Sequence, residues 1–440
     1  MRVFPLKHLE NDAGRPGTVL VMFTICLIAI MGLLALVIDG GLLQAERIRV
    51  QAAADAAALA GASQLYQNYR TNNGKDTGGG AKTGALAIAA DNGYANDGTN
   101  STVVVNIPPA SGTYAGVAGY VEVIITSNQN RCFSNIWSSA TVAVCSRSVA
   151  RGAWVPFNAS ILLLDTGDKG AVSVQGNGAF TSSGASAYIN SNSSTALSVS
   201  GGGSFQVSAV NITGGYSGSG ITGTITTGVH PTPDPLAYLP VPGATGAPAI
   251  PSAQSVTSTS LGGGVTQYDL YPGSYAALQS FGSKSNVILH QASSNSNGGI
   301  YYLSSGGFNT GGNATLSMAT GETGGVMIYN AGTGSGDTLN IAGNGGVTLA
   351  GLTAGPYTGL LMFQSRASTG AVSIAGNGTF SLAGTLYAPN AQIAVTGNGS
   401  ASDVASQWIC RELYLAGNGG VNIKYSNTAV ARTRIIAVVE

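Results

Sequence analysis

The phrase Gly-Asn-Gly returns along this chain inside a constant apolar frame, and that frame restricts the fold more than any other feature. It centres on Asn177, Asn344, Asn377, Asn398 and Asn418. Two apolar residues precede each asparagine at fixed distance: Val172 and Val174, Leu339 and Ile341, Val372 and Ile374, Ile393 and Val395, Leu413 and Leu415. A second pair follows three of them: Val347 and Leu349, Phe380 and Leu382, Val421 and Ile423. The Asn177 copy keeps only Phe180 after it, and the Asn398 copy keeps neither. Alternate apolar residues are the signature of a strand with one face inward. Glycine permits the tight corner between two strands, and asparagine is expected there because it tolerates a left-handed backbone.

The last three asparagines are 21 and 20 residues apart. A repeat of that length fits one coil of a solenoid, in which each coil covers the apolar edge of the next. Stacked coils would bring the asparagines into a hydrogen-bonded ladder. The expected fold of residues 158–440 is therefore mainly β, a right-handed parallel β-helix (solenoid). A hairpin turn at Gly-Asn-Gly is the competing reading, but the regular spacing and low charge favour the solenoid. Short runs near 271, 298 and 325 read as further coils. Residues 230–251, HPTPDPLAYLPVPGATGAPAIP, are too rich in proline for interior strand. They read as a surface excursion that splits the solenoid into a short first part and a longer second part.

Composition narrows the function. Charged residues make up 8% of the chain, against about 25% in ordinary globular proteins, and the formal net charge is zero. A nucleic-acid partner would need clustered Lys and Arg. Glycine supplies 65 of 440 residues, yet 44% are hydrophobic and many alternate with small polar ones, which argues for strands and against disorder. Of four cysteines, Cys26 lies in an apolar run, and Cys132 and Cys145 flank a candidate strand. Cys410 has no obvious partner. Outside the cytoplasm Cys132 and Cys145 have the option of a disulfide, and the sequence leaves that pairing open. With no Cys-x-x-Cys and no histidine cluster, a zinc site is not expected.

Residues 18–38, TVLVMFTICLIAIMGLLALVI, carry no charge. About 20 helical residues cross a hydrocarbon core. Arg2, Lys7 and Arg15 precede the run, against Glu10 and Asp12, and Asp39 follows it, a slight basic bias that puts the N-terminus, residues 1–17, in the cytoplasm. The run is longer than a signal-peptide core, and no small-x-small cleavage site follows it. Strong helix formers continue to residue 70. Residues 18–70 thus read as one transmembrane anchor and continuing amphipathic helix. After a polar break at 71–80, residues 81–154 read as a small extracytoplasmic α+β module: a short helix ended by Asn92-Gly93, then alternating strands in STVVVNIPP, GYVEVIITSN and ATVAVCSRSVARGAW.

The segment RPGTVLVMFTICLIAIMGLLALVIDGGLLQAERIRVQAAADAAALAGASQL resembles the N-terminal segment of TadG-like proteins of Flp (Tad) pilus assembly. The matching parts are the glycine before the apolar run, the ending VIDGG, and QAAADAAALAGA. DPLAYLPVP, GPYTGLLMFQSR and GTLYAPNAQIAVTGNGS are similar to regions attached to some TadG-like chains. The resemblance implies a bacterial inner-membrane, single-pass protein with its bulk in the periplasm or at the cell surface. It also implies pilin-like or pilus-assembly partners for the Ala-rich helix. Type IV prepilins carry Glu five residues into the mature segment; counting from Gly17, this chain has Met22, so pilin-type processing is not expected. Typical TadG proteins also carry a von Willebrand A domain whose metal site begins Asp-x-Ser-x-Ser. Here Asp165 is followed by Gly167 and Lys169 at the serine positions. Glycine offers no ligand oxygen and lysine repels a cation, so no metal is expected there.

No catalytic, cofactor-binding or metal residue is assigned. Polysaccharide-cleaving β-helices need paired carboxylates, calcium-binding acids or a basic residue at the cleavage site. The acids after residue 155 are Asp165, Asp168, Asp234, Asp269, Glu322, Asp337, Asp403, Glu412 and Glu440, and only Asp165 and Asp168 are close in sequence. His230 and His290 read as structural. No Gly-x-Ser-x-Gly elbow with triad partners stands out. The expected function is a non-catalytic, membrane-anchored structural or assembly protein of a Flp-type pilus or related surface structure, with no cofactor and no nucleic acid. The alternative is a surface adhesin or carbohydrate-binding β-helix with a surface polysaccharide as ligand. A polysaccharide lyase or hydrolase is the weakest reading.

Overall fold

The computed structural model describes residues 16–276, 280–291, 299–334, 336–342, 344–397, 402–403, 406–434 and 436–440. They form two compact units. The first holds the chain up to Trp154 together with residues 436–440, and the second is Val155–Arg434.

In the first unit, helix α1 runs unbroken over Pro16–Gln67. At 1.5 Å per residue it is about 78 Å long. Its two halves have different surroundings. Val19 through Val37 present exposed large side chains almost throughout, whereas Val50, Ala53, Ala54, Ala57, Ala58, Ala62 and Leu65 are buried. Those small residues meet Ala81, Ala85 and Ala89 of helix α2 (Gly80–Asp91) and the inner face of an antiparallel sheet. The sheet holds β1 (Ser101–Asn106), β2 (Tyr120–Gln129) and β3 (Val142–Arg151), followed by Ala437–Val438. Val103, Val105, Val121, Val123 and Ile125 alternate toward the helices, as a sheet covered on one face requires. The seam is tight because its residues are small. A Cβ on Gly61 would sit 3.0 Å from Val121, and one on Gly152 would sit 2.0 Å from the Ala62 carbonyl oxygen. The Ala-rich face for which the resemblance suggests pilin-like neighbours is thus buried inside this chain's own core.

The second unit is mostly β, and most of its described strands pair in three parallel ladders, while Thr257–Gly262 pairs antiparallel with Val265–Leu270. One contains Gly273–Tyr275, Gly299–Leu303, Val326–Asn330 and Leu360–Gln364, then 385–388, 407–410, Ala159–Leu163 and Ser186–Ile189. The next runs through Phe308–Thr310, Leu339–Ala342, Val372–Ala375, 393–396, 413–416, Val172–Val174 and Leu197–Val199. The third holds Val265–Leu270, Ser285–Leu289, Thr315–Met318, Val347–Ala350 and Phe380–Ala383, and Gly420–Lys424 pairs in parallel with Ala179–Ser183 in the larger sheet. Ile161, Met362, Leu386 and Trp408 face one apolar cluster with Val174, Phe180, Ile374 and Leu415. Their neighbours Leu162, Phe363, Tyr387 and Ile409 face a second cluster. The first ladder is therefore buried on both faces. That explains its continuous apolar runs, against the alternation of the other two.

Ladder order departs from chain order. Residues 161–163 pair with 408–410, so the early strands continue the ladders from their C-terminal part. The proline-rich segment contains no strand, in keeping with its sequence, but it is more than a surface excursion. Leu236 and Leu239 are buried against Ile300, Met327, Tyr357, Phe363 and Tyr387. Arg366 donates to the carbonyls of Leu236 and Leu239 at 2.8 and 3.0 Å, and Asn190 exchanges two 2.8 Å hydrogen bonds with the Thr232 backbone. The segment is a strap along the second cluster.

The corners assign separate roles to glycine and asparagine. The left-handed residue is the glycine before the asparagine: Gly176, Gly376, Gly397 and Gly417 all have positive φ. Among described non-glycine residues only Asn73 does, so the corner asparagines are not there for that conformation. A Cβ on Gly417 would lie 2.3 Å from the Gly397 oxygen, and one on Gly397 would lie 2.3 Å from the Gly376 oxygen. Successive backbones come together at a column of glycines. The asparagine side chains reach the neighbouring strand: Asn177 donates to Asn418 at 2.9 Å and Asn344 to Asn313 at 3.1 Å. The Asn377 amide donates to the Asn344 side chain at 2.9 Å. The Asn398 copy lies outside the described residues.

Candidate functional site

The most unusual surface of the first unit is the N-terminal half of α1. Its apolar run is about 31 Å long at 1.5 Å per residue, matching the roughly 30 Å hydrocarbon core of a bilayer. The helix is long and apolar enough to cross a membrane. Polar interactions begin where the apolar run ends. Asp39 accepts hydrogen bonds from the backbone amides of Phe133 and Ser134 at 2.9 and 2.8 Å, and from the Ser134 hydroxyl. Two turns on, Glu46 accepts from Ser127 at 2.9 Å and from the Tyr94 hydroxyl at 3.1 Å. Burial, with Glu46 beside it, pushes the Tyr94 phenol up to about 12. Between these points lies a pocket of about 180 Å³, lined by Leu42, Leu43, Arg49, Arg131 and Cys132 among others. Cys132 and Cys145 are both exposed free thiols.

The second unit brings together acids that the sequence leaves apart. Asp165, Asp168 and Glu412 place one carboxylate oxygen each within 4.8 Å of one another. Arg411 lies among them, with Nε 3.4 Å from Asp165 and Nη2 2.9 Å from Asp168, and it also pairs with Glu412. Asp165 accepts the amides of Gly167 and Asp168 at 2.8 and 2.6 Å. Burial raises its pKa, but those amides and the guanidinium outweigh it and hold the carboxyl below its ordinary range. The cluster is an ion-paired junction between the loop after Ala159–Leu163 and the strand Gln407–Gly417, already supplied with its cation.

A second cluster forms at His290. Its Nε2 lies 2.9 Å from Asp269, its Nδ1 lies 3.3 Å from Glu322, and Tyr271 stacks on the ring at 4.5 Å. The Tyr301 hydroxyl donates to the His290 carbonyl at 2.6 Å. The sequence reading leaves Asp269 and Glu322 as isolated acids and His290 as a structural residue. The signal for the contact is the strand register, since Leu270 pairs with Leu289 and brings the residues beside them together. Two other acids serve turns and the strap: Asp234 accepts from Tyr387 at 2.6 Å, and Asp337 accepts from the Gly334 amide at 2.7 Å. Burial pushes the Cys410 thiol up, which leaves it protonated and unreactive. His230 is exposed.

One comparison bears on the long helix. Residues 17–64 match the family model described as "Putative Flp pilus-assembly TadE/G-like". The Tad match covers the exposed apolar half of α1 and most of the half buried under the sheet. No curated protein and no solved structure matches the chain. The Tad family match thus bears on the anchor and its junction with the first unit, and the second unit lies outside it.

Proposed function

We propose that this chain is a single-pass bacterial inner-membrane protein whose N-terminus is cytoplasmic and whose bulk beyond the span at 18–38 lies in the periplasm or at the cell surface. It serves the assembly of a Flp-type pilus or a related surface structure as a non-catalytic scaffold. The observation that carries the proposal is the coincidence of the Tad match at 17–64 with a helix that is exposed and apolar over one half and buried in a folded unit over the other. Such a helix transmits the position of the membrane rigidly to what it carries.

The second unit is a right-handed parallel β-helix in this reading. Three parallel ladders, the near-20-residue step and the glycine column support it. Its role is to present a long, weakly charged surface. The engagement of Asp165, Asp168 and Glu412 by Arg411, and of Asp269 and Glu322 by hydrogen bonds to His290, supports a non-catalytic role. The pilus-assembly partner meets surfaces other than the Ala-rich seam, which is filled. Deleting the gene should abolish pili in electron micrographs, and the full chain should restore them. Intact pili with lost surface attachment would move the assignment to an adhesin or carbohydrate-binding protein.

A further inference from the structure

The first charged residue after the apolar run is also the anchor point of a distant loop. Asp39 binds the amides of Phe133 and Ser134, 94 and 95 residues further along the chain. The loop then makes one 3₁₀ turn, Ser134–Ile136, none of whose residues is buried. It leaves Ile136 71% and Trp137 62% exposed, whereas Trp154 and Trp408 are 7% and 0% exposed. An exposed Ile-Trp pair on a loop fixed by three hydrogen bonds needs a reason. Its height along α1 supplies one. If residues 18–38 fill the hydrocarbon, Asp39 stands at the boundary with water, and the loop bound to it stands at the same level. Leu36, Val37 and Leu42 continue the exposed apolar surface up to and past that level. Arg49 and Arg131 line the pocket beside it, and Arg131 is steadied by its bond to the Ala140 carbonyl at 2.8 Å. Tryptophan favours the headgroup zone, where its ring is half solvated, and basic side chains there meet lipid phosphates.

We propose that residues 131–138 form an interfacial foot that docks on the leaflet from which α1 emerges, with Ile136 and Trp137 entering the headgroup layer. With two points of attachment, the first unit is held at a fixed tilt to the membrane and does not swivel on a single helix. This rests on the reading of 18–38 as a membrane span.

The test uses the full chain reconstituted in phosphatidylcholine–phosphatidylglycerol vesicles, with and without brominated acyl chains. Bromolipid should quench part of the tryptophan emission. That part should be lost in Trp137→Ala, because the remaining tryptophans are buried, and reduced in Asp39→Ala, which frees the loop. Wild-type emission unchanged by bromolipid, in protein that floats with the vesicles and resists alkaline extraction, overturns the foot and leaves the anchor standing. Protein that fails to float overturns both. Shielding of Trp137 from acrylamide that follows protein density and not bromolipid assigns the patch to a second copy, and also overturns the proposal.

Discussion

Arg147 joins two carboxylates that are far apart in the chain: its Nε lies 2.6 Å from buried Glu122 and its Nη1 lies 2.7 Å from Glu440. Glu122 also accepts from Asn106, Ala110 and Ser111 at 2.7, 3.0 and 2.8 Å. Burial raises its pKa, but these donors and Arg147 outweigh burial and bring it from an ordinary 4.5 down to about 2. A carboxyl with a lowered folded pKa stabilises the fold fully above its unfolded pKa, and the gain is lost as pH falls through the folded one. Denaturation midpoints of the first unit should therefore decline as pH drops from 4.5 toward about 2. The loss attributable to Glu122 is about 3 kcal/mol. Glu122→Gln should flatten that segment of the profile. Arg147→Met should cost about 1.5–3 kcal/mol at neutral pH, because Glu122 loses its one charged donor and keeps the three neutral ones. A flat acid profile in the wild type would refute the assignment.

The alanine seam gives a contrast within one helix. Ala57 and Ala58 are fully buried and Ala45 is exposed. Ala57→Leu should destabilise the first unit by about 1–3 kcal/mol through overpacking. Ala45→Leu should change stability by less than about 0.5 kcal/mol. Gly152→Ala should resemble the core substitution, since its Cβ would meet the Ala62 carbonyl oxygen at 2.0 Å. Urea unfolding of the three variants in detergent, followed by circular dichroism, separates these outcomes. Equal midpoints for Ala57→Leu and Ala45→Leu would place the seam elsewhere.

Local patterns were legible where they had local causes. The uncharged run at 18–38 required a long apolar helix. The alternation around Gly-Asn-Gly marked the strand pairs on either side of each corner, such as 372–375 and 380–383. The unread parts depended on contacts between distant residues. Nothing near Ile161 announces Trp408 as its ladder partner. Nothing near Leu236 announces that a proline-rich segment is buried, because proline excludes ladder pairing and leaves side-chain burial open. The His290 cluster needed the strand register, in which Asp269 pairs with Ile288 and so comes beside His290 two residues on. The divided role of Gly-Asn-Gly required the backbone angles. A tolerant residue type in a corner does not say which residue turns.

That division predicts unequal costs along the phrase. Gly417→Ala would put a Cβ at a φ of +111°, 2.3 Å from the Gly397 oxygen. It should cost about 1–3 kcal/mol or more, through strain and backbone displacement. Asn344→Ala removes one exposed hydrogen bond to Asn313 and the acceptor for the Asn377 amide. It should cost about 1 kcal/mol. Thermal unfolding of the second unit compares them directly. An asparagine substitution as costly as the glycine one would mean that the side-chain ladder, and not the close backbone approach, holds the corners.

The strap supplies the last prediction. The Arg366 guanidinium carbon lies 5.4 and 5.5 Å from the ring centroids of Phe363 and Tyr387, while Nη2 donates to two strap carbonyls. Lysine can supply the charge but not the guanidinium, whose Nε bonds the Tyr387 hydroxyl at 3.1 Å while its Nη2 serves both carbonyls. Arg366→Lys should therefore release the strap almost as fully as Arg366→Ala. Leu236→Ala should act separately, by emptying a buried site at a cost of about 2–5 kcal/mol. Because a released proline-rich segment loses its cover before the ladders unfold, limited digestion with proteinase K should cut within 230–251 faster in all three variants. Digestion should leave the ladder fragments resistant on both sides. If Arg366→Lys is cut no faster than wild type, charge alone holds the strap and the guanidinium's several contacts are incidental.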